Sequence, residues 1–149
     1  MFYNNKAYRA ALEEYEPLYP LLKHKPGFLF EAAQCLSKTR QFEQANEYLR
    51  RAVLLSADPM LYYMMAKNEQ SLGQYRQAEK HLLHAIDILP ERIYPYYLLM
   101  NLYTEPSYFQ PAKLKMAIDS VLTKKPKVES SAIKEMKEKA RSMLNNTSI

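Results

Sequence analysis

The stretch PMLYYMMAKNEQSLGQYRQAEKHLLHAIDILP, residues 59–90, decides the fold. Apolar residues recur every three or four positions in each of its halves, which predicts two amphipathic helices. Pro59 suits a first helical turn, and Asp58 before it can cap the unpaired backbone N–H groups. Gly73 ends the first half, because glycine readily adopts the positive φ of a helix C-terminus, and Pro90 closes the second. The stretch therefore predicts two antiparallel helices joined by a short turn.

The same pattern recurs along the chain at an almost constant period. An aromatic residue, an alanine and a third large residue follow at fixed spacing in Tyr8, Ala11 and Tyr15, in Phe42, Ala45 and Leu49, in Tyr75, Ala78 and Leu82, and less cleanly in Phe109, Ala112 and Met116. The four aromatic residues are 34, 33 and 34 positions apart. A steady period of this length predicts a solenoid of helical repeats.

The repeating unit resembles the tetratricopeptide repeat, a helix–turn–helix of about 34 residues. The residues that carry the resemblance are Tyr62, Ala66, Gly73, Tyr75, Ala78, Leu82, Ala85 and Pro90. Glu69 departs from it, since the family usually has an aromatic residue at that place. The resemblance implies an all-α, right-handed superhelix that binds a protein or peptide partner and has no catalytic role of its own.

We predict one domain over residues 1–149. Its parts are a half repeat over 5–24, repeats over 26–58 and 59–92, a degenerate repeat over 93–126 and a capping helix over 129–145. Pro17 and Pro20 are expected to bend the first helix or end it early. A chain that starts within a repeat is either a covered, atypical cap or a piece of a longer protein, and we favour the second interpretation.

Composition argues against several classes of protein. With 48% hydrophobic and 25% charged residues, the chain has the make-up of an ordinary globular protein. No apolar run approaches the roughly 20 residues that a membrane-spanning helix needs. The two glycines provide no glycine-rich loop for a phosphate, and the single cysteine, Cys35, cannot form an internal disulfide.

The net charge of +5 lies in the last quarter of the chain. Residues 110–149 contain nine Lys or Arg against four Asp or Glu, whereas the rest of the chain is balanced. A basic end can meet an anionic surface, but a solvated helix face is the favoured interpretation. The lysines have no interleaved aromatic residues and alternate with Glu135 and Glu138, so nucleic acid is not the expected partner.

The resemblance places partner contacts on the first helix of each repeat, which lines the concave groove. The predicted groove residues are Phe30, Gln34, Tyr63, Lys67, Gln70, Tyr94, Tyr97 and Asn101. A row of aromatic rings beside polar side chains suits an extended peptide. The alternative, given equal weight, is that the rings only pack between neighbouring helices.

The best-known ligand of the family is a C-terminal carboxylate, held by Lys and Asn at fixed groove positions. Here the fifth positions of the first helices are aromatic, and the sixth are Glu31, Met64 and Leu98. The resemblance therefore does not extend to that ligand. Exposed solenoid ends also favour self-association, so a homodimer is a further possible assembly.

Residues that could carry chemistry are few. His81 and His84 could share a metal ion, but no nearby Cys or second pair of His completes a ligand set, so we predict neither metal nor cofactor. Cys35 is expected to be an inert, packed thiol. His24 has no base–nucleophile partner nearby. The acidic residues Glu13, Glu14 and Glu16 are typical of a solvated helix face, so the domain is not expected to be an enzyme.

A second resemblance concerns KKPKVESSAIKEMKEKARSML, residues 124–144. This stretch resembles the C-terminal tails of some bacterial O-antigen ligase or polymerase-like membrane proteins, in which a tetratricopeptide region follows the transmembrane part. The resemblance implies a regulatory or assembly domain of a glycan-processing membrane protein whose chemistry lies upstream. It leaves the cellular location unknown.

Overall fold

A computed structural model describes residues 5–146, and over this range the chain consists of α-helices and their connections. The helices are α1 (Asn5–Tyr15), α2 (Tyr19–Leu22), α3 (Pro26–Lys38), α4 (Phe42–Val53), α5 (Pro59–Ser71), α6 (Tyr75–Ile88), α7 (Tyr94–Tyr103), α8 (Pro111–Thr123) and α9 (Ser131–Asn146). Two 3₁₀ turns, Glu16–Leu18 and Pro106–Tyr108, precede α2 and α8. Within residues 5–146 no helix is both long and apolar enough to cross a bilayer.

The chain divides into two compact units, and the division falls between Ala78 and Glu79, within α6. In unit 1, described over residues 5–78, α3 packs against α1, α4 and α5. Its hydrophobic core contains Leu29, Ala33, Leu36, Ala45, Leu49, Ala52, Leu61 and Met65. The three alanines allow close approach of the helix backbones, and the larger residues fill the remaining space, as dense packing requires.

The helix ends in unit 1 are closed by backbone geometry. Asp58 Oδ1 accepts a hydrogen bond from the Met60 N–H at 3.0 Å, which confirms the predicted cap of α5. Gly73 follows α5 with a φ of 76°, and the Gln74 N–H donates to the Glu69 carbonyl at 2.8 Å. This is a Schellman turn, whose positive φ glycine adopts without strain.

The turn after α3 has the same geometry without a glycine. Arg40 has a φ of 64°, its N–H donates to the Ser37 carbonyl, and the Gln41 N–H donates to the Leu36 carbonyl at 2.8 Å. A residue with a side chain adopts this positive φ only at a cost in free energy, so the two hydrogen bonds must hold Arg40 in that conformation. The Arg40 guanidinium lies 5.5 Å from the centre of the Phe42 ring, an additional attraction.

In unit 2, described over residues 79–146, α8 packs against α7 and α9, and α9 also contacts α7. Its largest fully buried side chains are Leu82, Pro95, Met100, Leu102, Leu114, Ile118 and Val121. The Lys137 ammonium donates to the carbonyls of Val121, Leu122 and Lys124, at 2.8, 3.2 and 2.9 Å. A charged side chain thus satisfies the C-terminal carbonyls of α8, which also attract a cation.

The first and last parts of the chain refine the helix predictions. Residues 5–24 contain α1, a 3₁₀ turn and the short α2, because Pro17 and Pro20 interrupt the helix as expected. The capping helix begins at Ser131, with the Ser130 hydroxyl accepting from the Ile133 N–H at 3.2 Å. It runs to Asn146, slightly beyond the predicted end.

The prediction that Phe109, Ala112 and Met116 repeat the earlier core pattern is wrong. All three are exposed, with Met116 at 70% of its maximum. The corresponding buried residues are Leu114, Ala117 and Val121, five positions further along. The reason is local: the 3₁₀ turn and Phe109–Gln110 lengthen the connection, and α8 begins only at Pro111, where a missing N–H costs nothing.

Candidate functional site

The predicted groove residues of unit 1 lie on α3 and α5, two helices in contact with each other. Gln34 and Lys67 are exposed. Phe30 is half-buried and packs against the core, and Gln70 is also half-buried. Tyr63 is only 5% exposed. Of the five, only Gln34 and Lys67 are exposed, whereas the Tyr63 ring lies within the packed interior.

A chain of hydrogen bonds fixes this face. The Ser37 hydroxyl donates to Asn68 Oδ1 at 2.8 Å, which joins α3 to α5. Asn68 Nδ2 donates to Asn46 Oδ1 at 2.8 Å, and Asn46 Nδ2 donates to the Met65 carbonyl at 3.2 Å. Asn46 and Asn68 are each 3% exposed, so these amides satisfy one another where water cannot. Gln34 lies three residues before Ser37.

The predicted groove residues of unit 2 lie on α7. The rings of Tyr94 and Tyr97 stack with centroids 6.4 Å apart and an angle of 22° between their planes. Asn101 follows Tyr97 by one helical turn, so the two side chains share a face. Both are half-buried. The structure thus brings all three predicted residues of this unit together in one row.

A lysine from the C-terminal helix already contacts that row. Lys139 Nζ donates to Asn101 Oδ1 at 2.8 Å and lies 5.5 Å from the centre of the Tyr97 ring. Tyr96 also lies on α7, and Lys124 Nζ lies 4.8 Å from the centre of its ring. The negative face of a tyrosine ring attracts an ammonium group, so these two contacts help to hold Lys124 and Lys139 against α7.

A cluster around Glu79 in unit 2 was not predicted from the sequence. This carboxylate is 8% exposed, and it accepts hydrogen bonds from Tyr103 at 2.5 Å, Tyr108 at 2.6 Å and Lys113 at 2.9 Å. The Tyr103 and Tyr108 rings stack, and Lys113 Nζ lies 5.9 Å from the centre of the Tyr103 ring. The sequence feature that could have indicated this cluster is Glu79 itself, a charged residue directly after the predicted core residue Ala78.

The electrostatics of Glu79 follow from its donors. Burial raises the pKa of this carboxyl, but the hydrogen bonds from Tyr103, Tyr108 and Lys113 outweigh burial and hold the pKa below its usual value. The pKa of Tyr103 is raised, first by burial and then by its bond to the carboxylate. Both pKa shifts keep Glu79 ionised and Tyr103 protonated. The cluster therefore links α7 and α8 to Glu79 on α6.

The remaining candidates for chemistry are placed as follows. Cys35 is 8% exposed, and burial, followed by the nearby Glu31, raises the pKa of its thiol, which fits the predicted inert cysteine. Over residues 5–146, no three or more His, Cys, Asp or Glu side chains are grouped so that they could hold a metal ion. Glu13 and Glu16 line an open cleft of about 420 Å³ beside α1, together with Arg9.

Comparison with known proteins places the chain in a family. The model of the family described as anaphase-promoting complex, cyclosome, subunit 3 matches residues 4–85, more than half of the chain. The chain belongs to this family. A search of the curated proteins gave no significant match.

Two solved structures share the fold. A structure titled "Crystal structure of MamA" has a TM-score of 0.73 and 16% identity, over 97% of this chain and 87% of the other. Another, titled "Crystal structure of MamA protein", has a TM-score of 0.71 and 17% identity, over 93% and 79%. Neither match, nor the family match, is to an O-antigen ligase or polymerase-like protein.

These matches confirm the predicted fold class: the chain is an all-α repeat protein of the tetratricopeptide type. Proteins with this fold generally act as scaffolds that bind other proteins, and the fold is typically non-catalytic. Protein partners are therefore what the fold indicates.

Proposed function

We propose that this domain is a non-catalytic scaffold that binds an extended segment of a protein partner along the face formed by α3 and α5. The observation that carries the proposal is the exposure of Gln34 and Lys67 on two contacting helices held together by the Ser37–Asn68 hydrogen bond. The helices are already ordered by this bond, so binding a partner requires no ordering of their backbone and only the two side chains lose conformational freedom.

Each side chain has a defined role in this proposal. The Gln34 amide can both donate to and accept from a peptide backbone, and the Lys67 ammonium can meet a carboxylate of the partner. Phe30, one helical turn before Gln34 on α3, is half-buried and so leaves part of an apolar ring accessible. Tyr63 supports the face from beneath rather than contacting the partner, since its side chain is buried.

The family assignment supports assembly with other proteins. The name of the family describes a subunit of a complex, and a subunit must present at least one protein-binding surface. The alternative function, a regulatory or assembly domain of an O-antigen ligase-like membrane protein, rests only on the resemblance of the C-terminal stretch. None of the contacts described for residues 5–146 favours it, so we propose the scaffold function alone.

Site-specific photocrosslinking in the source cell tests the proposal. A photoreactive amino acid replaces Gln34 or Lys67 in the full chain, with Gln77 and Arg50 as matched controls. The controls are an exposed amide and an exposed cation on the second helices. We expect the same partner band from positions 34 and 67 and its absence from positions 77 and 50, because a photoreactive group labels only what lies within a few ångströms.

A partner captured equally well from all four positions would refute the proposed face. A captured band that proves to be a second copy of this chain would replace the foreign partner with a homodimer. The double variant Gln34→Ala/Lys67→Ala should reduce co-purification of the partner about tenfold or more, while Gln77→Ala/Arg50→Ala should leave it unchanged. Circular dichroism checks that both variants keep their helices.

A further inference from the structure

The face of α7 carries a site for an ammonium group, built from two side chains one helical turn apart. The Tyr97 ring provides a π face, and the Asn101 amide oxygen provides a hydrogen-bond acceptor. The Tyr94 ring, stacked on Tyr97, restricts its orientation. A π face beside an amide acceptor suits a primary ammonium, which is attracted to the ring and donates to the oxygen at the same time.

This site is occupied from within the chain by Lys139 of α9. The lysine is exposed, so neither of its two contacts is sealed from water, and each is individually weak. The position of α9 depends instead on its packing against α8 and on Lys137, which binds three carbonyls at the end of that helix. Lys139 can therefore leave Tyr97 and Asn101 without α9 leaving unit 2.

We propose that Lys139 is an internal substitute for a lysine side chain of the partner. When the partner binds, its lysine displaces Lys139 from Tyr97 and Asn101, and unit 2 gains a contact that is absent at rest. The proposal rests on the proposed function, since it gives a scaffold for protein partners a lysine-binding contact in unit 2. Its consequence is self-inhibition: the affinity of the free site is reduced by the fraction of time for which Lys139 fills it.

The test uses the full chain and a probe of defined chemistry. The variant Lys139→Gln removes the ammonium but keeps a polar side chain of similar length. Lys134→Gln is the matched control, because Lys134 is an exposed lysine on the same helix. The probe is the blocked tripeptide acetyl-Gly-Lys-Gly-amide, with acetyl-Gly-norleucine-Gly-amide as its uncharged counterpart. Binding is followed by NMR through the backbone amide signals of α7, which every variant retains.

We expect Lys139→Gln to bind the lysine peptide about tenfold more tightly than the wild type or Lys134→Gln, because an internal competitor of two weak contacts has been removed. The norleucine peptide should give no saturable shift. Adding Asn101→Ala or Tyr97→Leu to Lys139→Gln should abolish the gain, and the amide spectrum of each variant shows whether it is folded.

Equal binding of the lysine peptide by Lys139→Gln and Lys134→Gln, or no saturable shift in Lys139→Gln, would overturn the proposal. Neither result depends on α3 or α5, so photocrosslinking from positions 34 and 67 would still decide the proposed function separately. Conversely, saturable binding of the lysine peptide by Lys139→Gln with no crosslinked partner would support the ammonium site and refute the proposed face in unit 1.

Discussion

The two units join three helical segments through buried polar atoms, but they use different chemistry. In unit 1 the joint is neutral: Ser37, Asn68 and Asn46 form a chain of amide and hydroxyl hydrogen bonds. In unit 2 the joint is ionic: the Glu79 carboxylate receives bonds from two tyrosines and Lys113. Bonds to a charged group are stronger but depend on its protonation. We therefore expect the joint of unit 2 to lose more stability when one partner is removed and to be more sensitive to pH.

The helix ends show the same difference. In unit 1, α3 and α5 end in backbone turns at Arg40 and Gly73. In unit 2, the carbonyls at the end of α8 accept hydrogen bonds from the Lys137 ammonium. The lysines at positions 113, 124, 137 and 139 each make at least one described contact. The basic excess at the end of the chain, expected to be a solvated face, thus contributes to the internal structure of unit 2.

The largest effect is expected from Glu79→Gln. The new amide N–H₂ must face either the Tyr108 hydroxyl or both the Tyr103 hydroxyl and the Lys113 ammonium, so at least one of these donors loses its acceptor. Breaking a mostly buried ionic cluster in this way should cost about 3 kcal/mol of unfolding free energy. Urea denaturation followed by circular dichroism measures the loss, and hydrogen exchange shows whether protection falls mainly in α7 and α8.

Glu91→Gln is the control for that variant. Glu91 is exposed in the connection between α6 and α7, so its loss should change the free energy of unfolding by less than about 0.5 kcal/mol. A comparable loss in both variants would mean that the Glu79 cluster is no more stabilising than a surface charge.

A smaller effect is expected from Asn46→Ala in unit 1. The change leaves the Met65 carbonyl and one N–H of Asn68 without their partners, which should cost about 2 kcal/mol. Hydrogen exchange should place this loss in α4 and α5. The control Glu47→Ala changes the exposed neighbour of Asn46. If the two variants are equally stable, the neutral joint does not stabilise unit 1.

The smallest effect is expected from protonation of Glu79, which removes its charge but keeps its atoms in place. The pKa of Glu79 is lower in the folded chain than its ordinary value of 4.5. Its stabilising contribution is therefore complete above about pH 5 and is lost as the pH falls through the folded pKa, because the unfolded chain takes up the proton first.

Urea denaturation between pH 7 and pH 3 measures this dependence. The wild type and Asn46→Ala should lose stability in parallel as the pH falls, since their Glu79 is the same. Glu79→Gln should lose less over this window. If all three curves fall in parallel, the Glu79 cluster does not lower the pKa of its carboxyl.

Most of the fold could be predicted from the sequence, because helix signals are local. Period and capping residues determine where α3, α4, α5 and α6 begin and end, to within one or two residues. The position of α8 could not be read in the same way. The lengthened connection before Pro111 moved the buried face by five residues, and only packing against α7 and α9 shows which face is buried.

The residues of the candidate site were likewise predicted only in part from the sequence. The sequence placed Gln34, Lys67, Tyr97 and Asn101 on first helices, since their positions within the repeat are a matter of counting. It could not show that Tyr63 is buried, because burial depends on neighbouring helices. It also could not pair Lys139 with Asn101, since the two residues are 38 positions apart.

The sequence by itself determined that this chain is a helical repeat protein. A 3.6-residue pattern and a period of about 34 residues act through neighbours in the chain and need no knowledge of the fold. Only the tertiary structure decided how the polar and charged side chains are used. Whether a lysine is solvated, caps a helix or lies on a tyrosine depends on atoms brought together from distant positions, and a hydrogen bond or cation–π contact acts only across a few ångströms.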